Sequence, residues 1–186
     1  MNRWILAGAL ILSTTAAAAA GGTVKTKTPA QAVAALVRFA PPKGWSVVEY
    51  ANAGGADPVL RFENLSDAVQ IRLFGAPGSD YPTEKDFLAG PAATERGAAA
   101  SDAGTAVVAG KKLALRRRRF SIEVSDPHHP SSGKSLMGTE VFCVLPLKDG
   151  RFAVLAYRRE SPVPDLRQKG EKAWEAFLKT VRPKGR

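Results

Sequence analysis

The stretch from Val141 to Arg158, VFCVLPLKDGRFAVLAYR, constrains the fold more than any other part of the sequence. It predicts two β-strands, because β-branched and aromatic residues are frequent in both of its halves. Asp149-Gly150 separates the halves, and this pair can adopt the positive φ angles of a type I′ turn. The stretch therefore predicts a β-hairpin with a two-residue loop.

The register of this hairpin decides which side chains share a face. A two-residue loop predicts three apolar cross-strand pairs on one face and two on the other: Leu147/Phe152, Leu145/Val154 and Cys143/Ala156, then Phe142/Tyr157 and Val144/Leu155. A hairpin that is apolar on both faces is normally covered on both, so we expect it in the middle of the sheet. Pro146 is at odds with a regular strand, since it cannot donate to a neighbouring strand and can mark a bulge.

The first 20 residues have the three parts of a secretory signal peptide. Arg3 supplies a basic start, the run from Trp4 to Leu12 is apolar, and Ala16–Ala20 offers an Ala-x-Ala cleavage site. The apolar run is shorter than the roughly 20 residues that span a bilayer. A buried N-terminal helix is the alternative. The sequence predicts a periplasmic or secreted protein without a transmembrane span, and no cysteine near the cleavage site could carry a lipid.

About 166 of the 186 residues remain after such cleavage, enough for one domain with its own core. We expect a polar spacer and a short amphipathic helix over residues 21–40, a single α+β domain over 41–183 and a basic tail over 184–186. Cys143 is the only cysteine, so no intramolecular disulfide can form. The formal net charge of +10 favours anionic partners such as acidic polysaccharide or phospholipid headgroups, although solubility alone also explains it.

Helix and strand signals give the order of the first elements. Thr28 and Pro29 begin a helix over Ala30–Phe39, which prolines end. Three strands follow, at Trp45–Ala51, Val59–Asn64 and Val69–Leu73. The last two alternate apolar and polar residues, which is typical of strands that are buried on one face only.

The middle of the chain changes composition. Residues 75–110 are rich in Ala, Gly, Ser and Asp, with a helix start at Thr83 that leads into Glu84–Leu88. Ala92–Thr105 is poor in apolar bulk and predicts a loosely packed helix or a long mobile loop. Lys111–Val124 predicts a long strand beside the central hairpin.

The chain closes with a helix that Asp165 could cap. Its apolar residues are spaced i, i+3, i+4 and i+7, which predicts one buried stripe: Trp174, Phe177, Leu178 and Val181.

Four consecutive arginines, Arg116, Arg117, Arg118 and Arg119, lie within the predicted long strand. Because side chains alternate along a strand, Arg116 and Arg118 leave one face and Arg117 and Arg119 the other. One hypothesis places them at the end or edge of the sheet, where basic residues prevent unwanted strand pairing.

A second hypothesis makes these arginines an anion-binding site, to which Arg158 and Arg159 at the far end of the hairpin contribute. In a third, they form ion pairs with acidic residues elsewhere in the chain, for which the candidates are Glu63, Glu123 and Glu160. The sequence leaves all three hypotheses open.

Ser125–Gly138 predicts a loop, because it contains two prolines and two glycines. His128 and His129 are adjacent there, and adjacent side chains diverge, so no metal site is expected. Gly133-Lys134-Ser135 resembles the end of a phosphate-binding loop, but His128 stands where the first glycine is required.

No catalytic motif stands out. The sequence lacks a Gly-x-Ser-x-Gly elbow and a His-Glu-x-x-His helix. Cys143 lies in a predicted core strand, where burial makes a thiol unreactive. A pair of carboxylates could come from anywhere in the chain, so a hydrolase remains the enzymatic alternative. No cofactor is expected.

The order of elements resembles the PsbP-like α/β sandwich family. The resemblance rests on Pro42-Lys43-Gly44-Trp45, the two alternating strands, the central hairpin and the final helix with Trp174-Glu175-Ala176-Phe177-Leu178-Lys179-Thr180-Val181. The family includes an extrinsic photosystem subunit, Ran-binding import factors and exported bacterial proteins of the DcrB kind. It implies an antiparallel sheet covered by helices, in the order helix-β-β-β-(helix or loop)-β-β-β-helix, and accessory or binding roles.

These observations together favour an exported, non-enzymatic binding domain of the bacterial envelope with a protein partner. One alternative is an electrostatic binder of an anionic polymer or lipid through the arginine-rich strand. The other is a hydrolase of envelope polymers. Export argues against nucleic acid as the partner in the cell.

Overall fold

The computed structural model describes residues 27–95, 97–126, 129–160 and 164–185. Its helices and strands in chain order are α1 Pro29–Leu36, β1 Val37–Arg38, β2 Ser46–Ala51, β3 Pro58–Asn64, β4 Asp67–Phe74, α2 Glu84–Ala89, β5 Thr94–Glu95, β6 Ala98–Ala99, β7 Ser101–Val108, β8 Lys111–Asp126, β9 His129–Pro146, β10 Phe152–Arg159, α3 Pro164–Thr180 and β11 Arg182–Pro183.

Seven of these strands form one antiparallel sheet in the order β2-β3-β4-β10-β9-β8-β7. The prediction of an α+β fold with a large antiparallel sheet is confirmed. The β9–β10 hairpin occupies the fourth and fifth places, so its predicted central position is confirmed as well. The short pairs β1–β11 and β5–β6 lie outside this sheet.

The predicted turn of the central hairpin is confirmed, but its predicted register is wrong by one residue. Asp149 and Gly150 have φ angles of 58° and 73°, as a type I′ turn requires. The N–H of Leu147, however, donates to the carbonyl of Arg151 at 2.9 Å, which inserts one extra residue before the turn. Pro146 consequently lies opposite Phe152.

This shift changes which residues share a face. The pairs Leu145/Ala153 and Cys143/Leu155 face α1 and α3. The pairs on the other face, towards α2, are Val144/Val154 and Phe142/Ala156. Both faces are buried, as predicted.

β4 departs from the prediction of a strand that is buried on one face only. Val69, Ile71 and Leu73 are buried towards α1 and α3, as their alternation predicts. Gln70, on the opposite face, is only 1% exposed, and the Arg72 side chain only 12%. The prediction is wrong because β4 lies directly beside the central hairpin and is covered on both sides.

The predicted loop Ser125–Gly138 is wrong, because most of it forms strand. β8 and β9 pair as far as Asp126 opposite His129. His128, the other histidine considered as a metal ligand, lies outside the described residues. Gly138 lies opposite Phe120, and a Cβ at position 138 would lie 2.5 Å from the Phe120 ring. The glycine therefore serves close ring packing and not a turn.

α1 begins as predicted and ends earlier. The Thr28 hydroxyl oxygen accepts from the Gln31 N–H at 3.2 Å, and the Gln31 amide oxygen accepts from the Thr28 N–H at 3.1 Å, which completes a capping box. The helix ends at Leu36 and not at Phe39, because Val37–Arg38 pairs with β11. Val33 is buried against the sheet.

Ala92–Thr105 is neither a helix nor a long loop. The segment contains the β5–β6 pair and then most of β7, the outermost strand next to β8. α2 precedes it and begins at Thr83 as predicted, since the Thr83 hydroxyl oxygen accepts from the Asp86 N–H at 3.2 Å. Phe87 of α2 packs among Phe74, Phe142 and Phe152, in the apolar core between α2 and the sheet.

The predicted apolar stripe of α3 is confirmed, since Trp174, Phe177, Leu178 and Val181 are all buried against the sheet. Gly170 lets the first half of the helix approach closely. A Cβ at that position would lie 2.2 Å from Asp67 Oδ2 and 2.6 Å from the Tyr157 hydroxyl oxygen. Tyr157 donates to Asp67 Oδ1 at 2.9 Å, so both neighbours are held in place.

We expect Gly170→Ala to lower the free energy of unfolding by about 1–3 kcal/mol, as overpacking does. Helix propensity alone would predict a gain of about 1 kcal/mol. Urea denaturation followed by circular dichroism measures the difference. Gly54→Ala is the control, since a Cβ at position 54 meets no atom within 4 Å. Stabilisation by Gly170→Ala would contradict the close approach.

Candidate functional site

The arginine run lies in β8 opposite β9. The predicted alternation is confirmed, since Arg118 contacts Glu140 on the α2 face and Arg117 lines a cleft beside α3. The predicted edge position is wrong for Arg116 and Arg117, because β7 pairs with β8 at both. Arg119 lies past the last residue of β8 that pairs with β7, and there its backbone N–H donates to a carboxylate oxygen of Glu95 at 3.0 Å.

Glu140 is fully buried and binds arginines from two other strands. The Nε of Arg118 donates to Glu140 Oε2 at 2.8 Å, and Arg72 forms an ion pair with Glu140 Oε1. Burial alone would raise the pKa of Glu140, but the charges of Arg72, Arg118 and Arg158 outweigh it and lower the pKa. The carboxylate therefore stays ionised at neutral pH and ties β4, β8 and β9 together.

Arg158 also belongs to this buried cluster. Its guanidinium carbon lies 4.0 Å from the centroid of the Phe120 ring, and one nitrogen lies 3.6 Å from Glu160. Burial lowers the pKa of Arg158, and Glu140 and Glu160 oppose that effect. A guanidinium held this way has little freedom to bind a ligand.

Arg119 and Arg159 are also paired. Arg119 lies 2.7 Å from Glu95, and Arg159 lies 3.4 Å from Glu171. Within the described ranges, Arg116 and Arg117 form no ion pair, and they lie on opposite faces of the sheet. The six arginines predicted as a binding site therefore do not form one patch.

The ion-pair partners differ from those that the sequence suggested. Glu63 pairs with Arg61, and Glu160 with both Arg61 and Arg158. The side chain of Glu123 lies outside the described residues. Sequence reasoning missed Glu140, although a carboxylate in an apolar strand was a signal that could have found it.

A cleft of about 680 Å³ lies between α3 and the outer strands β7 and β8; we call it the α3 cleft. Apolar side chains from the sheet and the helix line its floor: Leu115, Val141, Tyr157, Trp174 and Leu178.

Small residues leave this space open. The β7 side of the cleft is lined by Ala103, Thr105, Ala106 and Val107 and by the turn residues Ala109 and Gly110, of which Val107 is the largest. Bulky apolar residues there would fill the gap between α3 and the edge of the sheet, as they do over the central strands. The shortage of apolar bulk in Ala92–Thr105 predicted a loosely packed helix or a long mobile loop, and the last part of that segment, at Ala103 and Thr105, lines the cleft.

Charged residues surround the apolar floor. The cations are Arg117, Lys179 and Arg182, and the acids are Glu171 and Glu175. Arg159 pairs with Glu171, which reduces the negative charge that faces the cleft. The rim is therefore positive, as is the whole chain with its net charge of +10.

Cys143 lies apart from this cleft. The thiol is buried in the sheet, and burial raises its pKa to about 12. This confirms its predicted place in the core. In the described part of the chain, no group of three His, Cys, Asp or Glu side chains could hold a metal ion.

Comparisons with protein-family models, with curated proteins and with solved structures found no match. Among the described residues, no helix is both long enough and apolar enough to cross a membrane.

We expect Glu140→Gln to lower the free energy of unfolding by about 3–5 kcal/mol, because it leaves the Arg72 and Arg118 charges buried without a partner. Glu171→Gln is the control, since Glu171 is 56% exposed and its pair with Arg159 should contribute less than about 1 kcal/mol. Chemical denaturation at neutral pH measures both losses, and equal losses would contradict the role of Glu140.

The loss should also depend on pH. The pKa of Glu140 is lowered by folding, so its contribution is complete above its unfolded pKa and disappears as pH falls through the folded value. The stability difference between the wild type and Glu140→Gln should therefore shrink only in acid.

Proposed function

We propose that this protein is an exported, non-enzymatic binding domain of the bacterial envelope, and that it holds an anionic component in the α3 cleft. One observation carries the proposal, namely a cleft of about 680 Å³ with an apolar floor and a rim on which three cations, Arg117, Lys179 and Arg182, outnumber two acids. Ligand sites in proteins have this volume and this combination of apolar walls and few charged groups.

The arginine run is a weaker candidate for the anion site. Glu140 and Glu95 already neutralise Arg118 and Arg119, and Arg158 and Arg159 are paired as well. An added anion would compete with these carboxylates. Arg117 faces the α3 cleft and acts there in this proposal.

A hydrolase fits the cleft less well than a binding domain does. Glu171 and Glu175 are the carboxylates that line it, and both extend from α3. Two catalytic carboxylates must flank the bond that breaks. Residues four apart on one helix are neighbours on the same wall.

The PsbP-like resemblance belongs to this proposal. An antiparallel sheet covered by helices is what the resemblance implies, and the described sheet has α1 and α3 on one face and α2 on the other. The accessory or binding role that it implies agrees with a ligand cleft.

Export is tested first. We expect the full chain, when produced in a bacterial host, to reach the periplasm or medium with its new N-terminus at Gly21 or within Ala16–Ala20. Cell fractionation and intact mass spectrometry measure this. An unprocessed chain that stays in the cytoplasm would contradict the proposal.

Binding is tested with the mature chain. We expect it to bind vesicles that contain phosphatidylglycerol, or an acidic polysaccharide, more tightly than neutral vesicles, with affinity that falls as salt rises. Lys179→Gln with Arg182→Gln should weaken this binding about 30-fold, because each basic residue near an anionic surface contributes about 1 kcal/mol. Co-sedimentation gives the affinities.

The control removes the same charge outside the cleft. Lys43→Gln with Lys172→Gln changes two exposed lysines, neither of which lines the α3 cleft. We expect a much smaller loss from it. Equal losses in the two variants would assign binding to net charge and overturn the site. If the wild type binds no anionic probe near physiological salt, the proposal is wrong and a protein partner replaces it.

A further inference from the structure

We infer that the α3 cleft binds a single-chain amphiphile, with its anionic head at Lys179 and Arg182 and its hydrocarbon chain along the apolar floor. The inference rests on the proposed function and names the ligand class. A fatty acid and a single-chain phospholipid share this chemistry.

The floor of the cleft suits a chain better than a sugar or a base. Trp174 stacks on Tyr157 and on Phe177, with centroids 6.4 and 6.0 Å apart and 20° between ring planes in each pair. Trp174 is only 5% exposed beside these two rings, so little of the indole is left for a ligand ring to stack on. What remains is apolar contact, which is non-directional and fits methylene groups.

Polar groups on the floor are already bonded. The hydroxyl of Tyr157 donates to Asp67 Oδ1 at 2.9 Å. A polysaccharide needs many hydrogen-bond partners, and its hydroxyls would be buried here without them. Leu115, Val141 and Leu178 impose no such cost on an acyl chain.

The two ends of the cleft differ in charge. Arg117 lies opposite Val141, which lies opposite Tyr157, so Arg117 belongs to the row that the first half of α3 covers. Glu171 lies on that half of α3, on the same side of the cleft as this arginine, whereas Glu175 lies one turn before Lys179.

Lys179 lies eight residues after Glu171, about 12 Å along the helix. Arg182 follows it immediately after α3 ends. No ion pair in the described part of the chain involves Lys179 or Arg182, and two cations beside the one acid Glu175 leave this end with a net positive charge. The head group therefore belongs at Lys179 and Arg182, and the chain runs towards Trp174.

Small residues on β7 give the chain its room. Ala103 and Ala106 line the cleft opposite α3. A larger side chain at position 103 would occupy the space of the hydrocarbon without changing any charge.

Isothermal titration of the mature chain with decanoate and dodecanoate, both below micelle formation, tests the inference. Affinity should rise about fourfold per added methylene, and so at least tenfold between these two acids. Dodecyl phosphate should also bind, and its ratio to dodecanoate separates a phospholipid source from a fatty-acid source. Dodecanol should bind at least tenfold more weakly, and dodecyltrimethylammonium more weakly still.

Variants locate the ligand. Ala103→Leu should weaken dodecanoate binding at least tenfold, whereas Ala114→Leu, on the opposite face of β8, should leave it unchanged. With Trp45→Phe, Trp174 is the one tryptophan in the mature chain. Bromoundecanoate should then quench its emission, because the brominated end lies near Trp174.

The outcomes separate the inference from the proposed function. If vesicle or polysaccharide binding requires Lys179 and Arg182 but affinity does not depend on chain length, the amphiphile is wrong and the binding domain stands. If neither polymer, vesicle nor amphiphile binds, both are wrong. Equal affinity for dodecanol and dodecanoate would overturn the position of the head group.

Discussion

Burial of the β9–β10 hairpin on both faces is the constraint on which the other elements depend. Leu155 and Cys143 face one way, Val154 and Phe142 the other, and all four are buried. A single layer of helices could cover only one of these faces. α1 and α3 therefore pack on one face and α2 on the other.

Charge follows the same division between faces. Alternation along β8 sends Arg118 into the buried cluster with Glu140 and Arg117 to the α3 cleft. A buried ion pair is costly to break, because one partner alone stays charged in a poorly solvated place. Strand geometry therefore gives Arg118 a structural place and places Arg117, which forms no ion pair among the described residues, at the cleft.

Local signals predicted much of the fold. Thr28 and Thr83 begin helices as their capping chemistry requires, and the stripe from Trp174 to Val181 is buried as its spacing requires. These features depend on neighbours in sequence, which is why they could be predicted. The predicted hairpin register was wrong by one residue at Leu147, next to Pro146, the residue that had indicated a bulge there.

Features that depend on distant partners could not be predicted in the same way. The polar residues of β4 predicted a solvent-exposed face. Arg72 is buried there because Glu140, 68 residues further along the chain, lies close enough to bind it. Ala92–Thr105 lacks apolar bulk, and the position of α3 puts the last part of that segment, at Ala103 and Thr105, beside a cleft. The composition indicated a lack of large apolar side chains, and the arrangement of α3 and β7 determines where that lack leaves a cleft.

The cluster around Glu140 and the cations of the α3 cleft are separate, and they differ in how much of the fold depends on them. Glu140 and its arginines support three strands, so substitutions there act on the fold as a whole. Lys179 and Arg182 support no other charged group among the described residues, and Ala103 leaves open space. Lys179, Arg182 and Ala103 can therefore vary with little effect on folding, and under the proposed function ligand choice and stability depend on different residues.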